Sequence, residues 1–268
     1  MISAGRHAMS MGILQGLAWA SQRFSGQPAT AGLHKLRVLG GPLRGMYIST
    51  PALTRLSFSL GIYQRDVLEV MRRHVKAGMT AYDVGAHMGY FALVLAKLVG
   101  PDGRVLAIEP DPRNLEALRT NLFANGITNV SVTPAAVADE SAEVLFATFP
   151  FSSVSHIADS RTPSDARRIT VAAITLDSFV YEEGNPAPSF IKIDVEGAEA
   201  RVLSGATQVL RKAAPVVIAE VWRSHWPEVA QIMLSHGYRS FVLGGESRME
   251  TDGLADVLFL PDDRARAV

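Results

Sequence analysis

Apolar residues recur along this chain with two periods, and the alternation between them predicts its architecture. From Thr80 onward, short apolar runs of strand length stand at 80–85, 104–109, 130–134, 189–194, 215–221, 239–243 and 256–260. Stretches of helical period separate most of them, which predicts an α/β domain around a parallel sheet. The helix after the second run has legible ends. Asp111 is its N-cap, Pro112 takes the first helical position, and Leu115, Leu118 and Leu122 form an inner face that stops at Asn125-Gly126. After the fourth run, Val202, Leu203, Ala206, Val209 and Leu210 read as one helix, and another opens near Pro227 and stops at Gly237. Between the third and fourth sheet strands lies an insertion at about 140–178, with β-like runs at Val144-Leu145-Phe146 and Ile169-Thr170-Val171.

Upstream of Thr80 the pattern changes. Leu36-Arg37-Val38-Leu39 and Met46-Tyr47-Ile48 flank Gly40-Gly41-Pro42, a hairpin signal. A helix is expected over Gln64 to Val75, with Val67, Leu68, Met71 and Val75 on its apolar face. Residues 21–32 read as a loop. Met9, Ile13 and Leu17 fall at helical spacing, which predicts an amphipathic docking helix. The rival reading is a signal peptide cut after Ala18-Trp19-Ala20. The expected organisation is an N-terminal extension over 1–78, a Rossmann-like domain over 79–261 carrying the 140–178 insertion, and a tail over 262–268.

Composition narrows the function. The 268 residues carry 26 basic and 26 acidic side chains, without the net positive charge of a dedicated nucleic-acid binder, and no cysteine. That removes disulfides, thiolate metal sites and cysteine nucleophiles, and suits a cytoplasmic location. No stretch approaches the roughly 20 apolar residues of a membrane span. The N-terminal helix is a candidate for peripheral membrane contact, and homo-oligomerisation stays open.

Three motifs carry chemistry. Asp83-Val84-Gly85-Ala86-His87-Met88-Gly89-Tyr90 follows a strand and opens a helix, the context of a nucleotide-cofactor loop. His87 stands where the dinucleotide fingerprint needs its second glycine, and no Walker lysine follows. Both missing features serve phosphate. S-adenosylmethionine has none, and Asp83 suits its ammonium group. Glu109 lies about 20 residues beyond, at the spacing of a ribose-binding carboxylate, which can accept two hydrogen bonds from a vicinal diol. Ile191-Lys192-Ile193-Asp194-Val195-Glu196-Gly197-Ala198-Glu199 ends the fourth strand. Strand alternation would put Asp194 and Glu196 on one face, and Glu199 would sit in the first turn of a helix. Such a cluster could hold Mg²⁺ or Ca²⁺, but no second ligand set is visible, so no metal is expected.

With these stretches, together with Gly61-Ile62-Tyr63, Glu109-Pro110-Asp111-Pro112, Asn121 with Asn125-Gly126, and Thr175-Leu176-Asp177, the chain resembles the FkbM family of methyltransferases over about residues 60–260. His87-Met88 stands where that family usually has Asn-Ile. The resemblance implies a class I methyltransferase sheet, mostly parallel with one antiparallel strand, and O-methylation of a hydroxyl on a sugar, glycolipid or secondary metabolite. The cofactor set is then Tyr63, Asp83, Gly85, His87, Gly89, Tyr90, Glu109, Asn114, Ala136 and Asp194. For catalysis His225 is the expected base, with Asp194 positioning acceptor or cofactor and Glu220 orienting the histidine or the acceptor. His156 is a second candidate substrate contact, with a surface or hydrogen-bonded histidine as the alternative, and Trp222 and Trp226 are read as core packing, with stacking on a sugar as the alternative. A nicotinamide-dependent oxidoreductase and a non-catalytic protein keeping the fold are the alternatives.

Overall fold

The computed structural model describes residues 33–51, 55–149, 155–245 and 253–265. The expected N-terminal helix and the 21–32 loop lie outside them. The chain opens with an antiparallel hairpin, β1 (Leu33–Arg37) and β2 (Tyr47–Pro51), then helices α1 (Arg55–Leu60) and α2 (Arg65–His74). Next come β3 (Thr80–Val84), α3 (Tyr90–Val99), β4 (Arg104–Ile108), α4 (Pro112–Ala124) and β5 (Val130–Thr133). The insertion holds β6 (Ala136–Val137), β7 (Ala142–Thr148), β8 (His156–Ile157) and β9 (Arg167–Ile174), followed by α5 (Leu176–Tyr181). The chain then runs through β10 (Phe190–Ile193), α6 (Glu199–Ser204), a π-helical turn (Val209–Ala213), β11 (Val216–Trp222), α7 (Trp226–Ser235), β12 (Tyr238–Val242), β13 (Leu254–Pro261) and α8 (Asp262–Ala265).

Seven strands form one sheet in the order β12-β13-β11-β10-β3-β4-β5. The pairs β11/β10, β10/β3, β3/β4 and β4/β5 are parallel, and β13 runs antiparallel to both its neighbours. The expected sheet with one antiparallel strand is therefore present. The chain proceeds outward from β3 through β4 to β5, then returns to β10 on the other side. That reversal makes the carboxyl ends of β3 and β10 the switch point, where open α/β sheets bind ligands.

Strand periodicity divides the core. Ala81, Ala107, Phe190, Ile218 and Leu258 pack under the hairpin and α2, α3 and α4. Tyr82, Ile108, Ile191, Ala219 and Val257 pack under α5, α6 and α7. Side chains alternate between faces. Asp83, Glu109, Lys192, Glu220 and Asp256 therefore belong by parity to the first face, near the strands' carboxyl ends.

Two local expectations change. The first hairpin strand ends at Arg37, because Leu39 and Gly40 turn away and both donate backbone N–H bonds to Ser59 O. The helix expected through Leu210 stops at Ser204. A Cβ at Gly205 would stand 2.1 Å from the Ala138 carbonyl, so the insertion presses against the chain there. The chain restarts under Asp177, whose carboxylate accepts the Gln208 and Val209 N–H groups. The insertion, whose β-like runs are legible in the sequence, folds as its own four-stranded sheet, β6-β9-β7-β8.

The hairpin is fastened by side chains. Asn121 and Asn125, one turn apart on α4, face the free edge of β2. Asn121 accepts from Ser49 N at 2.7 Å and Asn125 from Tyr47 N at 2.7 Å. Asn125 returns a bond to Tyr47 O, and Asn121 Nδ2 donates to Met88 O at 2.9 Å. The two amides imitate the neighbouring strand that β2 lacks on that side.

Candidate active site

The glycine loop leaves β3 at the switch point and turns sharply. Gly85 has φ +77°, and a Cβ there would stand 1.8 Å from the Asp194 carbonyl oxygen. The loops after β3 and β10 are thus in backbone contact. His87 also adopts a positive φ, 50°, which is rare for a side-chain-bearing residue. It turns its N–H to Glu109 Oε2 at 2.8 Å, and burial pulls the imidazole pKa down to about 4. Gly89 caps α3, where a Cβ would run into Leu118 at 2.3 Å.

Glu109 is buried beside that loop. Its Oε1 accepts from Asp111 N at 2.9 Å and from Asn114 Nδ2 at 3.1 Å. With the His87 bond, three of about four acceptor positions of a carboxylate are filled. Room remains for one further donor, where the sequence led us to expect two. Burial raises the Glu109 pKa to about 7 against those three bonds. Asn114 therefore reaches the cofactor region through Glu109. Ala136 is buried on β6, in the insertion's sheet.

Lys192 is the buried cation of the site. Its Nζ donates to Asp194 Oδ2 at 3.1 Å, lies 3.7 Å from Asp83 Oδ1, and sits 4.6 Å over the Phe91 ring. Burial works to lower its pKa, but Asp194 and Asp83 outweigh that and hold it above its ordinary value. Asp83 is wholly buried, and burial pushes its pKa up. Sequence reasoning passed over Lys192, although the alternation Lys192, Asp194 was the signal that the two share a face.

Beyond Lys192, Asp194, Glu196 and Glu220 place carboxylate oxygens within 4.8 Å of one another, a set that could hold a divalent cation. Asp194 and Glu196 do come together, but not by strand alternation. β10 ends at Ile193, and Glu196 curls back at φ 55°, a left-handed conformation costly for a residue with a Cβ. Glu220 pairs in register with Asp256 across β11 and β13. Burial first, then Asp194, raises both Glu196 and Glu220 well above the usual carboxylate range. Tyr63 overlooks this cluster. Its pKa is raised by burial and then by Asp194, Glu220, Asp256 and Glu196. Its ring stands edge-on to Phe58 and Tyr90, with centroids at 4.7 and 5.3 Å.

His225 lies at the start of α7, and its acidic neighbour is Glu199. Nδ1 is 3.8 Å from Glu199 Oε2, while Glu220 stands with the Asp194 cluster. Glu199, and not Glu220, is thus the carboxylate beside the His225 ring. Glu199 is almost fully buried, accepts from Gly197 N at 2.8 Å, and is raised by burial to about 7. On the other side of the ring, Nε2 is 3.5 Å from Arg161 Nη1, supplied by the insertion and held by Asp159. Burial, then Arg161, lowers the His225 pKa below the ordinary imidazole value. His156 stacks on Phe149 at 5.6 Å and bonds Thr162 Oγ1 at 3.0 Å, and Trp226 packs beside Phe259. Those contacts give both residues packing roles.

S-adenosylmethionine fits what is present. Glu109 keeps one acceptor position, Tyr90 Oη is buried without a hydrogen-bond partner, and the buried Asp83 carboxylate has its ion-pair partner Lys192 only at 3.7 Å. The carboxylate cluster beside them is of the sign a sulfonium needs.

Comparison with known proteins bears on the same residues. The Methyltransferase FkbM domain pattern matches residues 83–240, from the glycine loop to β12. The 31-O-demethyl-FK506 methyltransferase FkbM of Streptomyces tacrolimicus is 26% identical over 194 residues, covering 61% of this chain and 74% of that protein. The hexuronic acid methyltransferase AglP of Haloferax volcanii is 24% identical over 155 residues, covering 58% of this chain and 61% of that protein. Among solved structures, the methyltransferase FkbM of Methylobacillus flagellatus aligns with a TM-score of 0.48 at 20% identity, covering 68% of this chain and 43% of that one. The chain, matched over more than half its length by the domain that carries its cofactor loop and acidic cluster, belongs to the FkbM family of S-adenosylmethionine-dependent methyltransferases.

Proposed function

We propose that this protein transfers a methyl group to a hydroxyl of a sugar, a glycolipid or a secondary metabolite, with His225 as general base. The observation that carries the reading is the placement of His225 Nδ1 3.8 Å from the buried Glu199 Oε2, with neither atom hydrogen-bonded elsewhere. Glu199 beside Nδ1 favours the tautomer with the proton on Nδ1, which leaves the Nε2 lone pair for an acceptor hydroxyl. When bound, S-adenosylmethionine supplies an electrophilic methyl carbon on a sulfonium sulfur. His225 Nε2 would take the proton of the acceptor hydroxyl as that oxygen accepts the methyl group. Glu109 and the loop over Gly85 to Tyr90 would hold the nucleoside, Asp194 and Tyr63 would border the methyl, and Arg161 must yield its place near Nε2 to the acceptor. Alignment of the two reactants supplies most of the acceleration.

The relatives support the acceptor class by name, one acting on a hexuronic acid and the other on 31-O-demethyl-FK506. The test is incubation with methyl-labelled cofactor and a panel of sugars, glycolipids and hydroxylated metabolites. Label on a hydroxyl oxygen, lost in His225→Ala, is the expected result. Label on nitrogen or carbon, or full turnover by His225→Ala, overturns it.

A further inference from the structure

The balanced net charge of the chain conceals a strong asymmetry. Residues 1–79 carry ten Lys and Arg against two Asp and Glu, and residues 80–268 carry sixteen against twenty-four. A basic segment of this kind on a neutral protein points to a polyanionic surface. The structure shows what accompanies the charge. Leu39, Leu56, Leu60 and Ile62 are 64%, 70%, 47% and 43% exposed, an unusual group of aliphatic side chains to leave in water. They arise from two chain segments pressed together. Leu39 N donates to Ser59 O at 2.8 Å and Ile62 N to Ser57 O at 3.0 Å, and Gly41 lies so close to Gly61 that a Cβ on it would stand 2.7 Å from the Gly61 carbonyl oxygen. The cations continue from this group. Arg65 and Arg72 line a cleft with Gly41, Pro42 and Glu69, whose Oε2 lies 3.4 Å from Arg72 Nε; Lys97 donates to Pro42 O at 2.6 Å, and Arg44 N donates to Gly41 O.

We infer that this lobe docks the protein on an anionic membrane surface, with Leu60 and Ile62 entering the headgroup–acyl boundary and Arg44, Arg65 and Arg72 meeting lipid phosphates. Aliphatic side chains at the centre of a basic patch suit a bilayer, whose boundary accepts them. Single-stranded nucleic acid would call for a row of exposed aromatic rings on which successive bases stack, and among the described residues this lobe exposes one, Tyr47, with Lys35 over its ring. The docking surface is built from the folded hairpin and α1–α2 region, and it ends one residue before Tyr63 enters the carboxylate cluster. Among the described residues no helix is long and apolar enough to cross a membrane, so the contact is peripheral.

The test is co-sedimentation of the full chain with vesicles of phosphatidylcholine alone and of phosphatidylcholine mixed with phosphatidylglycerol. Binding is expected to the mixed vesicles only, and to fall as salt is raised. Each cation removed should weaken it roughly fivefold. Arg65→Glu with Arg72→Glu, and separately Leu60→Ser with Ile62→Ser, should each abolish sedimentation while melting temperature stays unchanged, all four side chains being exposed. No binding to the mixed vesicles overturns the proposal. So does binding that survives both double variants, tight binding of an RNA oligonucleotide that Leu60→Ser with Ile62→Ser leaves intact, or concentration-dependent self-association that the same variants abolish.

Discussion

Replacing Asn121 by Ala should loosen the N-terminal hairpin from the sheet domain at a calculable cost. The side chain is buried and makes two short backbone bonds, accepting from Ser49 N at 2.7 Å and donating to Met88 O at 2.9 Å, beside a longer third to Ser49 O at 3.4 Å. Alanine satisfies neither. A buried group left unpaired costs about 1–3 kcal/mol, so two would cost about 2–6 kcal/mol. The Ser49 bond is only partly buried and water can reach that side, which brings the expectation to about 2–4 kcal/mol. For a chain of this size that is a fall in melting temperature on the order of 5–15 °C. Asn125→Ala is the internal control. Its two bonds to Tyr47 are exposed and its third, to Asn121 O at 2.7 Å, is only partly buried, so its loss should cost about 1 kcal/mol. Urea unfolding of both variants gives the free energies, and hydrogen exchange at the Ser49 amide reads the local release. The argument fails if Asn121→Ala lies within about 0.5 kcal/mol of the parent, or if Asn125→Ala costs as much.

Four further outcomes follow from the site. His225→Ala should lower turnover by about 10²–10⁴-fold with cofactor affinity near normal, and should remove an acidic limb whose midpoint in the parent lies below about 6.5, as burial and Arg161 dictate; a mutant that keeps this limb would show that the proton goes elsewhere. Glu199→Gln should lower kcat more than it raises KM and move that limb, whereas a purely structural role would move only the melting temperature. Glu109 and Glu199, with folded pKa values of about 7 against an ordinary 4.5, bind more protons folded than unfolded between those values. Their contribution is therefore full below about pH 4.5 and is lost as pH rises to about 7, by up to about 3 kcal/mol each, so Glu199→Gln should flatten the melting temperature against pH across that window. Chelator treatment should leave methyl transfer intact, since Lys192 Nζ already donates to Asp194 at 3.1 Å and supplies a cation to the Asp194–Glu196–Glu220 cluster; loss with EDTA and recovery with Mg²⁺ would reassign those carboxylates as ligands.

The main sheet was legible because its signal is local. Each strand alternates or runs apolar over a few residues, and Asp111 with Pro112 marks the start of α4 in the sequence itself. What escaped depends on contacts distant in sequence. The break after Ser204 is set by Ala138 and Asp177, which no window around 199–210 contains. Asp194 and Glu196 could be picked out by type, but the turn that joins them is a left-handed residue, not a strand. The partnership of Glu199 and His225 crosses two loops, so Glu220, nearer in sequence and also acidic, looked the better partner. Asn121 and Asn125 could be noted as a helix end, while their grip on β2 needs the third dimension.

That grip has a consequence for solubility. A strand paired on one side presents N–H and C=O groups that any other extended chain can join, a route to aggregation that natural sheets block. Here the block consists of two carboxamides, which occupy Tyr47 and Ser49 without adding a strand. A variant lacking Asn121 therefore uncovers a β edge while most of the sheet domain stays folded. Its characteristic failure should be ordered self-assembly through β2, appearing at temperatures where the parent chain stays dispersed.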